Sequence, residues 1–196
     1  MSKSLRRREV VAQLLQDRGE LLVVSSLTGV FDITSAGDHE LNFPMWGAMG
    51  GGAMLGLGLA LAQPQRRILV LTGDGEMLMG AGALATIAVM RPKNLCLVVL
   101  DNEHYGETGM QEGHTGHGVD LAGMARAAGF RHALNIDDSA RVSELRGMIH
   151  QDTGPLFAQV KIVPEKVPRV LPPRDASFLK NRFRIALLGP DAVHDE

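Results

Sequence analysis

Short apolar runs alternate with longer amphipathic segments along the chain, and this alternation predicts strands joined by helices. The runs at residues 21–25, 68–72 and 95–100 are rich in Leu and Val, which is typical of strands buried on both faces. The other predicted elements are strands at 130–136 and 155–163 and helices at 4–17, 53–62, 76–90, 120–128, 139–151 and 174–188. Because strands and helices alternate, we predict an α/β fold, a doubly wound parallel sheet with helices on both faces.

Polar turns follow two of the predicted strands at the point where each strand ends. The first turn is Gly73-Asp74-Gly75, and the second contains Asn102. Because open α/β sheets bind ligands at the carboxyl ends of neighbouring strands, we expect Asp74 and Asn102 to meet, although residues 76–101 separate them. Carboxylate and amide oxygens are typical Mg²⁺ ligands, and Gly73 and Gly75 let the backbone approach a phosphate closely. These features predict a site for a magnesium diphosphate.

The spacing of these residues resembles the thiamine-diphosphate binding signature. The stretch that follows, from Asn102 to Gln111, is most similar to the sulfopyruvate and phosphonopyruvate decarboxylases, and the resemblance spans residues 21–163. It implies thiamine diphosphate and Mg²⁺ as cofactors. The implied metal ligands are the side chains of Asp74 and Asn102 and the backbone carbonyl of His104.

The resemblance also assigns cofactor contacts to residues on three turns. Thr28 follows the first strand, where a plain strand-to-helix turn is the alternative to a diphosphate contact. Glu76 is expected to act through its backbone, because a carboxylate beside a diphosphate is repelled. Tyr105 and Gly106 begin a glycine-rich segment, 103–118, which fits a lid whose backbone closes on the diphosphate.

Met49 is the residue that the resemblance places beneath the bent cofactor. In the family a large apolar side chain at this position forces the two rings of the cofactor into a V. The carbonyl of Gly47 would accept a hydrogen bond from the 4′-amino group of the pyrimidine. Met45 is the second choice for this role, and ordinary core packing is the alternative for Met49.

His114 and His117 are candidate catalytic residues on the glycine-rich segment. Histidine transfers protons near neutral pH, and either side chain could bind the second acidic group of a sulfonate or phosphonate substrate. The alternative is that both histidines are solvated loop residues. A zinc site is disfavoured because no cysteine or third spaced ligand joins them.

Glycines 47, 50 and 52 also form a loose dinucleotide-binding pattern, with an acidic residue about twenty positions downstream. That fingerprint requires a strand before its glycines, and residues 42–46 are a poor strand sequence. A nicotinamide-dependent dehydrogenase is therefore disfavoured.

Composition and charge indicate a soluble, cytoplasmic protein. The net charge of −2 gives no drive toward nucleic acid, and the single cysteine, Cys96, is expected to be buried and inert. The apolar stretch at 47–62 is shorter than the roughly 20 residues that span a bilayer. The basic run Arg6-Arg7-Arg8 is expected to lie on a solvated helix face, and a partner or anion site is the alternative.

The length of 196 residues predicts one domain, followed by a proline-rich arm and C-terminal helix at 164–196. The resemblance implies that this domain, at 1–163, is a thiamine-diphosphate-binding domain of the diphosphate (PP) type. The resemblance implies a β-type subunit of a split 2-oxoacid decarboxylase that releases CO₂ and an aldehyde. A separate pyrimidine-domain (α-type) subunit would supply the activating glutamate, in a hetero-oligomer with two or more copies of each chain. A carboligase, a 2-oxoacid oxidoreductase subunit and a cofactor-binding scaffold without turnover are the alternatives.

Overall fold

A computed structural model describes residues 5–27, 29–151 and 154–194. Its central element is a six-stranded parallel sheet, with a separate antiparallel pair of two-residue strands beside it. The strands are β1 (Leu22–Ser26), β2 (Asn42–Met45), β3 (Ile68–Gly73), β4 (Leu95–Asp101), the small pair β5 (His104–Tyr105) and β6 (Gln111–Glu112), β7 (His132–Ile136) and β8 (Leu156–Lys161). The order in the large sheet is β2-β1-β3-β4-β8-β7, so the predicted doubly wound parallel sheet is confirmed.

Helices cover both faces of this sheet. They are α1 (Arg7–Leu15), α2 (Gly29–Ser35), α3 (Gly52–Ala62), α4 (Asp74–Met79), α5 (Gly82–Met90), α6 (Leu121–Ala128), α7 (Ser139–Gln151) and α8 (Ala176–Leu188). The predicted helix at 139–151 is confirmed, whereas the first helix is shorter than the predicted 4–17. Among the described residues, no helix is both long and apolar enough to cross a bilayer.

Alternate residues of the central strands enter two separate cores. Leu69 and Leu71 of β3 pack with α1 and α7 on one face, whereas Ile68 and Val70 pack with α3, α5 and α6 on the other. All five residues of β1 and all seven of β4 are buried. Burial on both faces explains why these strands are continuous apolar runs instead of alternating ones.

The predicted single helix at 76–90 is wrong, because the chain breaks it between α4 and α5. Gly80 is the C-cap of α4 and packs directly on the backbone of Gly50. A Cβ at Gly80 would lie 3.0 Å from the Gly50 Cα and closer still to its carbonyl oxygen. The break therefore docks the loop that precedes α3 against the end of α4.

The expectation that residues 42–46 form no strand is also wrong. Asn42–Met45 pairs with β1 in parallel register as the edge strand β2. Pro44 is tolerated there because an edge strand has one side without ladder partners. A strand does precede the glycines at 47–52, as the dinucleotide-binding fingerprint requires.

The C-terminal helix α8 packs against this edge strand. The ring centroids of Phe183 and Phe43 are 5.3 Å apart in an edge-to-face contact, and Arg182 binds Asp38 at 2.6 Å. Asp175 caps the helix by accepting hydrogen bonds from two backbone N–H groups. The helix begins two residues later than predicted, and the division of the chain at residue 163 stays a prediction.

Candidate cofactor and metal site

Asp74 and Asn102 lie at the carboxyl ends of the two central strands. The register pairs Gly73 of β3 with Leu100 of β4, so the residues that follow leave the sheet at the same edge. Both side chains line one cavity, with exposed fractions of 3% for Asp74 and 8% for Asn102. The structure thus brings together the two residues that 76–101 separate in sequence, and their role as metal ligands stays a prediction.

The charge at Asp74 fits a site for a cation. Burial and, second, the neighbouring Asp101 carboxylate raise the pKa of Asp74 above its ordinary value. Within the described ranges no Lys or Arg forms an ion pair with this carboxylate. A hard divalent cation would compensate a buried carboxylate beside a second one, and the oxygen donors here suit Mg²⁺.

Thr115 and Asp101 form a layer behind Asp74 that the sequence pattern did not predict. The Thr115 hydroxyl lies 3.0 Å from Asp74 Oδ2 and 2.7 Å from Asp101 Oδ1. Asp101 also accepts hydrogen bonds from the side chain of Gln159 and the backbone of Glu103, and it pairs with Lys161 at 2.6 Å. The position before the signature asparagine gives no sequence signal for this role of Asp101, because its side-chain partners Thr115, Gln159 and Lys161 are distant along the chain.

We expect Thr115→Val to weaken Mg²⁺ binding by about 10- to 100-fold, the usual cost of removing a group that orients a metal ligand. Valine has nearly the same shape but cannot bridge Asp74 and Asp101. Calorimetric Mg²⁺ titration in the presence of thiamine diphosphate measures the effect. Thr34→Val is the matched control, because the Thr34 hydroxyl donates to the Val30 carbonyl within α2 and Thr34 is not among the described cavity-lining residues. Equal Mg²⁺ affinity in both variants would contradict the role given to Thr115.

Asn102 and His104 share a tight turn at the end of β4. Asn102 Oδ1 accepts a hydrogen bond from the backbone N–H of His104 at 3.1 Å, and the His104 ring nitrogen Nδ1 lies 2.8 Å from the Asn102 carbonyl. Both residues line the cavity with Asp74. The turn therefore keeps two of the three predicted ligands adjacent, while metal coordination by the His104 carbonyl stays a prediction.

Tyr105 and Gly106 line the same cavity, as the lid hypothesis expects. The Tyr105 ring packs on Gly75, where an added Cβ would lie 2.5 Å from the ring Cε1. Gly75 is therefore required for this packing as well as for its predicted approach to a phosphate. The ring places the start of the 103–118 segment directly over the Gly73-Asp74-Gly75 turn.

The Glu76 side chain is more involved in the site than the sequence suggested. It is 3% exposed and lines the cavity, and its Oε2 accepts a hydrogen bond from the Ser26 hydroxyl at the end of β1. Glu76 Oε1 has no hydrogen-bond partner among the described residues. The carboxylate is thus tied to the neighbouring strand, and a backbone contact to the cofactor stays a prediction.

Met49 occupies a more suitable place for the cofactor support than Met45. Met49 lines the cavity and is 36% exposed, whereas Met45 packs against the core on the α3 side of the sheet. Gly47 has a positive φ of 68° and is not among the described cavity-lining residues. The assignments of Met49 and Gly47 stay predictions.

Neither predicted catalytic histidine is among the described residues that line this cavity. His114 Nδ1 lies 3.0 Å from the Tyr105 hydroxyl, and His117 Nε2 lies 3.6 Å from Glu112 Oε2 at the surface. Thr28 lies outside the described residues. The preceding residue, Leu27, lines the cavity.

Arg7 contradicts the expectation of a solvated basic run. Its side chain lines the cavity and is largely buried, at 8% exposure, and it donates two hydrogen bonds to Asp32 Oδ2 at 2.9 and 2.6 Å. Its neighbour Arg6 does match the expectation, because it is exposed and pairs with Glu165. A run of three arginines gave no signal of which one turns inward, because this depends on the position of α2.

The comparisons with known proteins agree with this geometry. Residues 27–160 match the family model of the thiamine pyrophosphate enzyme C-terminal TPP-binding domain. Sulfopyruvate decarboxylase subunit beta of Methanothermobacter thermautotrophicus is 34% identical over 89% of this chain and 90% of its own length. Phosphonopyruvate decarboxylase of Streptomyces viridochromogenes is 34% identical over 95% of this chain but only 47% of its own length.

A solved structure shows the same fold within a larger enzyme. The thiamine diphosphate-dependent 4-hydroxybenzoylformate decarboxylase of Rhodococcus jostii superposes with a TM-score of 0.69 at 16% identity. The match covers 85% of this chain and 34% of that one, so the chain spans about a third of that enzyme. The family match covers more than half of the chain, including both the Gly73-Asp74-Gly75 turn and Asn102, and it rules out the dinucleotide-binding alternative. The chain therefore belongs to the thiamine pyrophosphate enzymes and corresponds to their C-terminal TPP-binding domain.

Proposed function

We propose that this chain is the diphosphate-binding subunit of a thiamine-diphosphate-dependent 2-oxoacid decarboxylase. The observation that carries the proposal is the convergence of Asp74 and Asn102, both buried, in one cavity at the edge of the sheet. The relatives named sulfopyruvate and phosphonopyruvate decarboxylase suggest the substrate class, a 2-oxoacid with a second acidic group. The expected products are CO₂ and an aldehyde.

The residues of the cavity divide into a metal end and a support for the cofactor rings. Asp74, Asn102 and the His104 carbonyl would hold Mg²⁺, and backbone groups around Gly75 and Gly106 would lie along the diphosphate. Met49 would support the rings in their bent form. When bound, the cofactor supplies the electron sink for cleavage of the bond to CO₂. The chain itself binds and orients that group and keeps water from the buried metal end.

We further propose that a pyrimidine-domain subunit covers the helices α3, α4 and α5 and supplies the activating glutamate. These helices expose apolar side chains: Met54, Leu61, Met79, Val89 and Met90 are each more than 40% exposed. Such a group of exposed apolar residues marks an interaction surface. The match to nearly the whole length of a beta subunit supports a hetero-oligomer, for which we propose two or more copies of each chain.

We assign the enzyme to the cytoplasm. Cys96 is buried and free, and burial raises the pKa of its thiol, so it is neither a disulfide partner nor a reactive thiolate. A reducing compartment fits this cysteine usage.

Coexpression with a pyrimidine-domain subunit tests the proposed function. We expect the purified complex, with Mg²⁺ and thiamine diphosphate, to release CO₂ and one equivalent of aldehyde from sulfopyruvate or phosphonopyruvate. The purified chain alone should show no turnover, because it lacks the activating glutamate. Coupled aldehyde reduction and CO₂ detection measure both products.

Other outcomes identify the alternatives. Carbon–carbon bond formation without free aldehyde would indicate a carboligase, and turnover only with an electron acceptor would indicate an oxidoreductase. Turnover by the chain alone would refute the split arrangement. Cofactor binding by the complex without any turnover on these 2-oxoacids would indicate a scaffold.

A further inference from the structure

The Arg7 side chain, at the start of α1, is fixed in one orientation by Asp32 of α2. Its Nε and Nη2 both donate to Asp32 Oδ2, at 2.9 and 2.6 Å, and the Asp32 side chain is completely buried. Within the described ranges no acceptor binds the remaining terminal nitrogen, Nη1. A buried arginine that uses one edge of its guanidinium group on Asp32 keeps donors for a second anion.

The charges of the cavity indicate what that second anion is. Asp74 and Glu76 line the cavity, and Arg7 is the sole Lys or Arg among its described lining residues. A diphosphate that binds Mg²⁺ still carries excess negative charge, and it would lie beside both carboxylates. A fixed guanidinium group is the natural compensation, because its planar donors match phosphate oxygens.

Arg7 lies on the side of the cavity that carries Asn102 and Gly106. A second, adjoining cavity shares Arg7, Asn102, Gly106 and Glu107 with the first, whereas Met49, Asp74 and His104 line only the first. The Arg7 side chain is therefore beside one predicted metal ligand and one residue predicted to contact the diphosphate. This location fits the terminal phosphate better than the thiazolium or pyrimidine rings.

We propose that Arg7 binds the terminal phosphate of the cofactor diphosphate and that Asp32 is the positioning residue that aims it. The proposal rests on the proposed function. Arg7 lies outside the family match at 27–160, so membership of the family does not assign this contact. This contact between Arg7 and the phosphate would add the first helix of the chain to the cofactor site, and it explains why one arginine of the basic run is buried.

A charge-neutral double variant of the 196-residue chain, Arg7→Gln with Asp32→Asn, tests the proposal. It removes both charges together, which avoids leaving Asp32 buried without its partner. We expect Mg²⁺–thiamine diphosphate and Mg²⁺–pyrophosphate to bind about 10- to 100-fold more weakly by calorimetry, the range for losing a charged hydrogen bond. Thermal unfolding and circular dichroism check that the fold is retained.

Two further variants separate charge, geometry and fold. Arg7→Lys keeps the charge without the planar fork and should weaken pyrophosphate binding by an intermediate factor. Arg6→Gln removes an exposed arginine that pairs with Glu165, and it should leave binding unchanged. Affinity for thiamine, which has no phosphate, should be the same in all variants.

The outcomes distinguish this inference from the proposed function. Failure of the wild-type chain and its complex to bind Mg²⁺–thiamine diphosphate would overturn both. Wild-type binding that the double variant retains would overturn the role of Arg7 alone. Unchanged cofactor affinity with a raised KM for the 2-oxoacid would also overturn it, because Arg7 would then bind the substrate anion.

Discussion

Asp74→Asn is expected to abolish magnesium-dependent binding of thiamine diphosphate, with an affinity loss of more than about 100-fold. The amide is neutral and a weaker ligand for a hard cation, and it replaces the one charged ligand predicted for the metal. Binding measured by calorimetry with and without Mg²⁺ gives the effect. Retained magnesium dependence would remove the central assignment of the site.

The same substitution is expected to stabilise the cofactor-free chain. Burial and Asp101 raise the pKa of Asp74 above its value in the unfolded chain, so wild-type stability falls as the pH rises from that ordinary value through the raised one. The gain of the variant should therefore grow over this interval, stay constant above it, and be smallest below the ordinary value, where Asp74 is protonated in both the folded and the unfolded chain. A gain of 1 kcal/mol corresponds to roughly 2–4 °C in Tm for a chain of this size.

Asp137→Asn is the matched control for both measurements. Asp137 is exposed, and its substitution removes the same charge away from the cavity. We expect cofactor binding and melting temperature to stay at wild-type values in this variant. Parallel shifts in both variants would mean that net charge, not the local field at residue 74, determines the stability.

Gly80→Ala is expected to destabilise the protein by about 1–3 kcal/mol, the usual cost of overpacking. Its new Cβ would lie 3.0 Å from the Gly50 Cα, and backbone atoms cannot rotate away as a side chain can. The loop that carries Met49 must therefore move relative to α4. Chemical denaturation measures the stability loss.

The loop displacement should also change binding selectively. We expect Mg²⁺–pyrophosphate affinity to stay within a few-fold of wild type, whereas thiamine diphosphate affinity falls, because Met49 is predicted to contact the rings. Gly82→Ala is the control, since among the described residues its added Cβ would meet no atom within 4 Å apart from its chain neighbours and the backbone of its own helix. Equal thiamine diphosphate affinities in the two variants would contradict the predicted contact between Met49 and the cofactor rings.

The break between α4 and α5 shows why local pattern predicted one helix that is too long. Residues 76–90 have apolar side chains at helical spacing, and glycine alone lowers helix propensity by only about 1 kcal/mol. The deciding contact is between Gly80 and Gly50, two residues far apart in sequence. No local pattern contains the second partner of that contact.

The prediction for residues 42–46 was wrong for a related reason. A short edge strand forms because it pairs with its neighbour in the sheet, not because of its own sequence. Residues 42–45 contain Pro44 and have no long apolar run, so their propensity for a strand is low. Their pairing with residues 23–26 of β1 supplies the stabilisation that the local sequence lacks. The roles of Arg7 and Thr115 were not predicted for the same reason, because each depends on a hydrogen-bond partner on another element.

Local sequence pattern was sufficient to predict the meeting of Asp74 and Asn102 at one edge and every strand of the parallel sheet except β2. These follow from short-range periodicity and from the rule that parallel strands end at one edge. The three-dimensional packing was needed to show which arginine turns inward, where the long helix breaks and how Thr115 joins two carboxylates. Those features depend on contacts between residues distant along the chain, and such contacts form only when the two faces of the sheet are packed.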